Sequence, residues 1–386
     1  MTGEQVSIHF PPGAEEAAAP LRSTGILPAQ EMRALIREKV LFSTSAPISE
    51  EQIQPSSIDL RLGPIAYRVR ASFLPGRHFR VEDKLEALAT HKIDLTSGAV
   101  LERGCVYIVP LLEHVRLGKR LSGVANPKSS TGRLDIFTRL ITDNGSEFDR
   151  VREAYKGPLY AEISPRTFSV LVRRGSRLSQ LRLRRGSPRP TDTGMQRLHE
   201  ETRLVHGEGE AAHRIAGGVP VTVDLRGETL GGLIGYKAKA NTDIVDVDRH
   251  NHYDPSDYWE PILANRDGNL ILDPDAFYIL VSKEAVTVPP DHAAEMAAFN
   301  PLQGEFRAHY AGFFDPGFGF SDAGGEGSRA VLEVRSYEVP FLLEHGQVVA
   351  RLTYERLTMI PDRLYGSGIG SSYQRQGLAL SKHFKR

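Results

Sequence analysis

An internal repeat constrains the fold of this chain more than any other feature of its sequence. The stretch YAEISPRTFSVLVRRGSRLSQLRL is echoed by VLEVRSYEVPFLLEHGQVVARLTY, and LERGCVYIV is echoed by LDPDAFYIL. Three pairs of matching residues share one spacing of 171 positions: Tyr107 with Tyr278, Glu162 with Glu333, and Gly175 with Gly346. A long fixed period marks a duplicated structural unit, so the sequence predicts two copies of one module of about 160 residues.

The composition indicates that each copy is built mainly from strands. The 386 residues include 36 glycines and 24 prolines, which lie between short apolar runs as in a turn-rich β protein. Runs of this kind are SSIDLRLG, CVYIVPLLEHVRL, LYAEIS, FSVLVRRG and SQLRLRRG. A short helix is expected in LPAQEMRALIREKVL, where Met32, Leu35, Ile36 and Val40 have helical spacing.

The repeat also sets the predicted domain boundaries. Residues 1–24 are rich in Ala, Pro, Glu and Gly and are expected to form a disordered arm. The first module is predicted over 25–186, a polar linker with room for one helix over 187–218, and the second module over 219–360. Residues 361–386 form a tail that is rich in glycine and serine.

The charge and the cysteine content of the chain limit which binding partners and which cellular compartment are expected. Lys and Arg total 48, as do Asp and Glu, so neither a nucleic acid nor an anionic membrane is expected as the main partner. Cys105 is the only cysteine, which excludes an internal disulfide and a multi-cysteine metal site. No apolar run approaches about 18 residues and no basic-then-apolar leader is present, so a cytoplasmic protein is expected.

The two copies differ at two polar stretches, and each copy retains one of them. Copy one has Lys128-Ser129-Ser130-Thr131-Gly132-Arg133, which offers charge, hydroxyls and amides to a phosphate group, whereas copy two has LQGEF after its matching Asn-Pro. Copy two has AGFFDPGFG, where copy one has DNGSEFDRV. Taken singly, the first stretch is equally typical of a solvated turn and the second of a plain hairpin.

The order of SSIDLRLG, KSSTGR, AGFFDPGFG, VLEV and a Gly-rich tail resembles the dCTP deaminase and dUTPase superfamily, in its long tandem form. The resemblance extends from about Gly25 to the end. It implies a mainly β fold of two tandem dUTPase-like β-barrel modules with a few short helices. It also implies a homo-oligomer with active sites between neighbouring modules, for which we expect three chains. The implied activity is hydrolytic deamination of dCTP to dUTP and ammonia. A dUTP pyrophosphatase, a bifunctional enzyme and a non-catalytic nucleotide sensor stay open as alternatives.

The resemblance also assigns roles to residues. Glu333 matches the catalytic glutamate, with Glu162 as the runner-up, and Ser129 and Arg133 are expected to position the water and keep the glutamate ionised. Tyr373 and Gln376 belong to a tail that closes over the nucleotide, although a frayed terminus is the plain alternative. The predicted substrate-binding residues are Lys128, Ser129, Ser130, Thr131, Gly132, Arg133, Phe313, Phe314, Asp315, Gly317, Tyr373 and Gln376.

A protein-bound metal is not expected. Zinc deaminases need a Pro-Cys-x-x-Cys pair to hold the ion, and one cysteine cannot supply it. The stretch DIVDVDRHNHYD, with Asp246, Asp248, His250 and His252, has the composition of a metal cluster but no recognised ligand spacing, and a polar loop is the favoured interpretation. Mg²⁺ is expected to arrive with the triphosphate, because divalent ions bind phosphate oxygens.

Overall fold

The computed structural model describes residues 22–186, 191–207, 215–297, 306–307, 312–320, 327–336, 338–366 and 377–386. Most of the predicted disordered arm, residues 1–21, lies outside this part of the chain. The remainder is mainly β, as predicted, and folds as two similar β modules with a few short helices. Among the described residues, none of the helices has the length and apolar character required to cross a membrane.

Copy one is built from two main sheets and a small third one. Its helices are Ala29–Arg37 (α1), Val81–Leu88 (α2) and Ser129–Gly132 (α3), with a 3-10 turn at Glu50–Gln52. Its strands are Gly25–Ile26 (β1), Leu41–Ser43 (β2), Ile58–Arg61 (β3), Ile65–Val69 (β4), Ala89–Asp94 (β5), Ala99–Leu101 (β6), Val106–Arg116 (β7), Leu121–Pro127 (β8), Ile136–Thr142 (β9), Arg150–Val151 (β10), Lys156–Pro165 (β11), Val170–Val172 (β12) and Arg177–Arg185 (β13). One sheet has the order β5-β4-β7-β11-β9, and the other has the order β1-β13-β8-β10.

Copy two repeats this plan. Its helices are Asp192–Glu201 (α4) and Pro255–Tyr258 (α5), with a 3-10 turn at Glu228–Leu230. Its strands are Val205–His206 (β14), Val219–Thr222 (β15), Leu233–Ala238 (β16), Val245–Asp246 (β17), Trp259–Leu263 (β18), Asn269–Leu272 (β19), Phe277–Val286 (β20), His292–Ala297 (β21), Phe306–Arg307 (β22), Phe313–Phe314 (β23), Ser328–Ser336 (β24), Phe341–Glu344 (β25) and Val348–Arg356 (β26). Its larger sheets have the orders β18-β16-β20-β24-β22 and β15-β26-β21-β23.

The repeat predicted from the sequence is present in the strand register. In copy one, Glu162 of β11 lies opposite Ile108 of β7. In copy two, Glu333 of β24 lies opposite Ile279 of β20, and both residues are displaced by the same 171 positions. Because a shift of one residue would turn every side chain to the other face of the sheet, this match places the two glutamates at equivalent points of their modules.

The helix predicted near the start of copy one is confirmed as α1, with Met32 and Leu35 buried against the core because they lie on one helical face. The polar stretch between the modules contains the expected helix, α4. It also contains β14, which was not predicted and which pairs with β20 of copy two. A two-residue strand carries too little periodicity to be recognised in a polar segment. The proposed division into linker and modules stays a prediction.

The two copies are joined by buried contacts. The guanidinium of Arg335 pairs with the carboxylate of Asp135, and both side chains are almost completely buried. Strand β17 of copy two adds in parallel to β12 of copy one. Trp259 packs edge-on against Phe168 with their ring centroids 5.5 Å apart, within the core of copy one. Copy two therefore completes the core of copy one, and the junction is a continuation of the interior.

Candidate active site

The predicted phosphate loop of copy one is a turn of helix. Ser129–Gly132 forms α3, in which the Lys128 carbonyl accepts hydrogen bonds from the amides of Thr131 and Gly132 at 2.8 and 2.9 Å. Thr131 and Gly132 are buried, and Arg133 follows as the C-cap. The alternative of a solvated turn is therefore not what the structure shows at Thr131-Gly132. The turn is fixed because it packs between β9, β13 and copy two.

Glu333 of copy two lies directly against this turn. Its side chain is only 3% exposed, at the centre of β24. A Cβ atom built on Gly132 would lie 2.6 Å from the carboxyl carbon of Glu333, closer than atoms of neighbouring residues approach. Glycine at position 132 therefore lets the backbone of copy one approach the carboxylate of copy two. Within one chain, the structure therefore brings the predicted phosphate-binding turn of copy one against the predicted catalytic glutamate of copy two.

The predicted base-binding hairpin of copy two also rests on copy one. Phe313–Phe314 forms β23, and the turn closes where the Phe318 amide donates to the Asp315 carbonyl at 3.1 Å. Gly317 has a φ of +91°, a conformation that favours glycine. The Gly312 amide, at the start of the hairpin, donates to Oδ1 of Asn126 on β8 at 2.6 Å. The hairpin is thus positioned by the copy that carries the phosphate turn.

A buried polar group that sequence reasoning missed holds the Asp315 carboxylate. Ser56 donates a hydrogen bond to Oδ1 of Asp315 at 2.6 Å, and Arg182 donates to the Ser56 hydroxyl at 3.1 Å. Arg182 lies 3.7 Å from Asp315, so the two form an ion pair between copies. Burial raises the pKa of Asp315, and the charge of Arg182 opposes this effect. No local pattern distinguishes Arg182 from the other arginines of SQLRLRRG, so neither residue type nor spacing could have identified it.

The aromatic side chains of the hairpin already have protein partners. The guanidinium carbon of Arg182 lies 3.9 Å from the ring centroid of Phe313, which covers one face of that ring. The rings of Phe314 and Phe318 meet edge to face with centroids 5.0 Å apart. Phe318 packs in the core of copy two. The proposed stacking of a pyrimidine on these rings stays a prediction.

Cations collect beside the phosphate turn. Lys128 pairs with Asp59 of β3. Burial, and then the charge of Lys128, lower the pKa of Lys382, near the end of the chain, to about 8. Burial and then the charge of Lys382 lower the pKa of His250. The charges of Lys128 and Lys382 therefore repel each other. An anion bound between them would reduce this repulsion.

Two family descriptions match the chain. The N-terminal domain of 2'-deoxycytidine 5'-triphosphate deaminase (DCD) matches residues 23–187, and the C-terminal domain of the same enzyme matches residues 191–384. The chain belongs to the 2'-deoxycytidine 5'-triphosphate deaminase family. The two matches together include both copies.

Similar proteins carry related names. A crystal structure of 2'-deoxycytidine 5'-triphosphate deaminase from Agrobacterium tumefaciens is 57% identical, with a TM-score of 0.82, and covers 87% of this chain and 100% of that one. A "dCTP deaminase, dUMP-forming" from Halobacterium salinarum is 30% identical over 161 residues, which are 41% of this chain and 75% of that protein. A "dCTP deaminase" from Haloarcula marismortui is 31% identical over 161 residues, which are again 41% of this chain and 75% of that protein.

The C-terminal tail of this deaminase-family chain is attached at both flanks. On one side, the Tyr365 amide donates to the carbonyl of Pro316 in the hairpin at 2.8 Å. On the other side, Ser381 donates to the Ser130 carbonyl at 2.8 Å, and Arg133 donates to the Ala379 carbonyl at 3.1 Å. Tyr373 and Gln376, predicted to close over the nucleotide, lie outside the described residues.

Copy one has two neighbouring carboxylates, of which Glu162 is buried and Asp149 is half-buried. Glu162 is buried on β11, and its burial raises its pKa. Asp149, which by strand register stands where copy two has Gly312, accepts a hydrogen bond from the Leu140 amide at 2.7 Å. Burial, together with the neighbouring charge of Glu162, raises the pKa of Asp149 to about 7. Glu162 is the counterpart of Glu333 in copy one, whereas Asp149 has no acidic counterpart in copy two.

The acidic and histidine-rich stretch of copy two makes structural contacts. Asp246 forms a two-point ion pair with Arg173 at 2.7 and 2.8 Å, and Asp248 accepts a hydrogen bond from Ser176 at 2.7 Å. The imidazole of His250 lies 5.7 Å from that of His383. In the part of the chain that the structure describes, no group of three or more His, Cys, Asp or Glu side chains is arranged to hold a metal ion. The stretch fastens copy two and the C-terminus to copy one.

Proposed function

We propose that the chain deaminates dCTP hydrolytically at one site between its two copies. The observation that carries this proposal is the contact between Gly132 and Glu333, which places a buried carboxylate against the Ser-Arg turn in a member of the dCTP deaminase family. Each copy alone lacks one component, since copy two has no Ser-Arg turn at the matching position and copy one has no Asp-Pro-Gly hairpin. The ion pair between Asp315 of copy two and Arg182 of copy one helps to hold the hairpin in a fixed position relative to copy one.

Glu333 would act as the proton carrier of the reaction. Attack of water at C4 of cytosine forms a C–O bond, and the C4–N bond then breaks to release ammonia. The carboxylate accepts one proton from the attacking water and passes it to N3. It then takes the remaining proton from the new C4 hydroxyl and passes it to the amine, so that C4=O forms as ammonia leaves. Ser129 positions the water from the start of α3, and Arg133, next to Gly132, favours the ionised form of the glutamate. No metal is needed in this scheme.

The triphosphate would bind at the cations of the turn. Lys128 and Arg133 provide charge, and Ser129, Ser130 and Thr131 provide hydroxyl groups. Lys382 joins this set because its pKa is lowered by burial and then by the charge of Lys128, which indicates that the two ammonium groups are close together. Mg²⁺ would arrive bound to the phosphate oxygens rather than to a site on the protein.

The two candidate products, dUTP and dUMP, differ in whether the triphosphate stays intact. Three of the relatives are named as dUMP-forming and one is named simply dCTP deaminase. We favour dUTP with ammonia as the product, because deamination requires only Glu333 and a positioned water. Loss of pyrophosphate, which would give dUMP, is the second candidate, and it is favoured by the name of the Halobacterium relative.

One assay tests these alternatives together. The full chain is given dCTP and Mg²⁺, ammonia and pyrophosphate are quantified, and the nucleotide product is identified. Ammonia with dUTP supports the proposal, ammonia with dUMP and pyrophosphate identifies the bifunctional enzyme, and nucleotide binding without ammonia identifies a sensor. Complete loss of ammonia release with a zinc-selective chelator, restored by zinc, would overturn the zinc-independent scheme.

The compartment and the oligomeric state of the enzyme are part of the same proposal. A cytoplasmic homo-oligomer would fit a chain with balanced charge and a single cysteine. Three chains, which would provide six modules, are the arrangement that we propose from the trimeric packing of the superfamily.

A further inference from the structure

The two copies carry the same pair of short strands at their edges. In copy one, Val100 of β6 lies opposite Leu171 of β12. In copy two, Ile271 of β19 lies opposite Leu342 of β25, again displaced by 171 positions. The same structural position therefore occurs twice in one chain, and its surroundings in the two copies can be compared directly.

In copy one, this edge is covered by the other copy. The Val245 amide donates to the Ser169 carbonyl at 3.1 Å, and the Val247 amide donates to the Leu171 carbonyl at 3.2 Å, so that β17 becomes a third strand. Val100 and Leu171 are half-buried as a result. The covering strand belongs to the connection 239–258, between β16 and β18.

In copy two, the equivalent edge is open within the described part of the chain. There, β25 pairs with β19 alone. Ile271 is 59% exposed and Leu342 is 49% exposed, and Val339, just before β25, is 50% exposed. Two opposite aliphatic side chains beside an uncapped strand edge form a surface that favours pairing with another strand.

The charges at the two edges have opposite signs. In copy one, Arg173 at the end of β12 binds Asp246 and Asp248 of the covering connection. The position displaced by 171 residues in copy two is Glu344, which is exposed. A segment that covers β25 in the equivalent way should therefore carry basic residues where the connection 239–258 carries aspartates.

Copy one supplies such a segment at the equivalent point of its own chain. Strands β4 and β16 occupy matching places, since Tyr67 pairs with Ile108 and Tyr236 with Ile279. The connection after β4 spans residues 70–88, as the connection 239–258 follows β16. Its first part, RASFLPGRHFR at 70–80, contains three arginines and one histidine. Phe79 within it is 49% exposed.

We propose that the β25 edge is an interface between chains, and that its occupant is the 70–80 segment of a second copy of this chain. The contact would repeat between chains the way in which residues 239–258 cover β12 within one chain. Arg77 would meet Glu344, and Phe79 would cover Ile271 and Leu342. The interface is head-to-tail, so successive chains close into a ring or continue as a filament.

The first test is the mass of the full chain in solution as a function of concentration. The wild-type chain should form an oligomer, and Leu342→Lys or Glu344→Arg should raise its dissociation constant about tenfold or more. Both positions are exposed, so the monomer should keep its circular dichroism spectrum and melting temperature. Ile360→Lys, at another exposed aliphatic residue, is the matched control and should associate like the wild type.

The second test identifies the occupant. Arg77→Glu should weaken association, whereas Lys119→Glu, the same charge change at another exposed position, should not. Arg77→Glu combined with Glu344→Arg should restore part of the lost affinity, because the ion pair is reversed. The proposal is overturned if the wild-type chain stays monomeric, if Leu342→Lys associates normally, or if Arg77→Glu behaves like Lys119→Glu.

Discussion

The α-carbon of Gly132 faces the carboxyl group of Glu333, although 201 residues separate them in the sequence. A methyl group at position 132 would come within 2.6 Å of the carboxyl carbon, so the space between the phosphate turn and the glutamate is fully occupied. The contact makes the distance between these two groups a fixed property of the folded chain. Chemistry at Glu333 should therefore be sensitive to very small changes in copy one.

Gly132→Ala should inactivate the enzyme without unfolding it. The backbone at Gly132 is helical and tolerates alanine, but the added methyl displaces the Glu333 carboxylate, and a misplacement of about 1 Å can cost about 10²-fold in rate. Ammonia release from dCTP measures the loss. Gly118→Ala is the control, since a Cβ there meets no atom within 4 Å. Equal activity of the two variants would contradict the assigned geometry.

Glu333→Gln should reduce turnover by about 10²-fold or more, because the amide keeps the shape but cannot carry the proton. Glu162→Gln should have a much smaller effect, since copy two offers no Ser-Arg turn at the matching position to complete a site around Glu162. Steady-state deamination rates of the two variants make the comparison. A reversed order would move the catalytic site to copy one.

Mixing Arg133→Ala with Glu333→Gln should restore no activity. Arg133 and Glu333 both border Gly132 within one chain, so each chain in the mixture carries one damaged site. The two proteins are mixed under conditions that allow chains to exchange, and dCTP turnover is followed over time. Recovery of activity would show that the halves of the site meet between chains. Near-normal activity of Arg133→Ala alone would remove this residue from the site.

Asp149→Asn should stabilise the protein above neutral pH. The pKa of Asp149 is raised from 3.8 to about 7 by burial, so between these values the folded state holds a proton that the unfolded chain has released. Stability therefore falls as pH rises from about 4 to about 7, and the penalty is constant above that. Asparagine keeps the bond from Leu140 and tolerates the φ of 60°.

The gain from Asp149→Asn should be on the order of 2 kcal/mol at pH 8, after allowance for partial solvent contact, and should shrink towards zero near pH 4. Urea unfolding at pH 4.5, 6 and 8 measures this trend. A gain that is independent of pH would show that the carboxylate is not the cause.

Nucleotide binding should be accompanied by proton uptake near pH 8. Lys382, with a pKa of about 8, is close to half protonated there, and phosphate charge would raise its pKa towards 10.5. About half a proton should be taken up at pH 8 and almost none at pH 6. Calorimetry of dCTP with Glu333→Gln in buffers of different ionisation enthalpy measures this. Adding Lys382→Arg, which keeps the charge at both pH values, should abolish the uptake.

The repeat was the part of the structure that the sequence predicted best. Identical residues at one spacing fixed the equivalence of Glu162 and Glu333, and the strand register preserves it. The complementary losses of the copies also indicated a shared site, because a ligand must find both phosphate charge and a base pocket. The fold class, the opening helix and the main strands followed from apolar periodicity.

The partners of the site residues were not predictable from local patterns. Arg182 reaches Ser56 and Asp315 only because β13, β3 and the hairpin meet in three dimensions. The turn at Ser129 is typical of a solvated loop in sequence, yet packing against copy two makes it a buried helical turn. Such features depend on contacts between distant segments, which residue type and spacing do not encode.

The attachment of the last residues of the chain has a consequence for the rigidity of the phosphate turn. Ser381 donates to the Ser130 carbonyl, and Arg133 donates to the carbonyl of Ala379. A helical turn as short as α3 is not stable by itself and takes its conformation from the residues packed against it. The C-terminal residues are therefore part of the support of the turn, and a chain shortened before Ala379 would release Ser130 and Arg133 together.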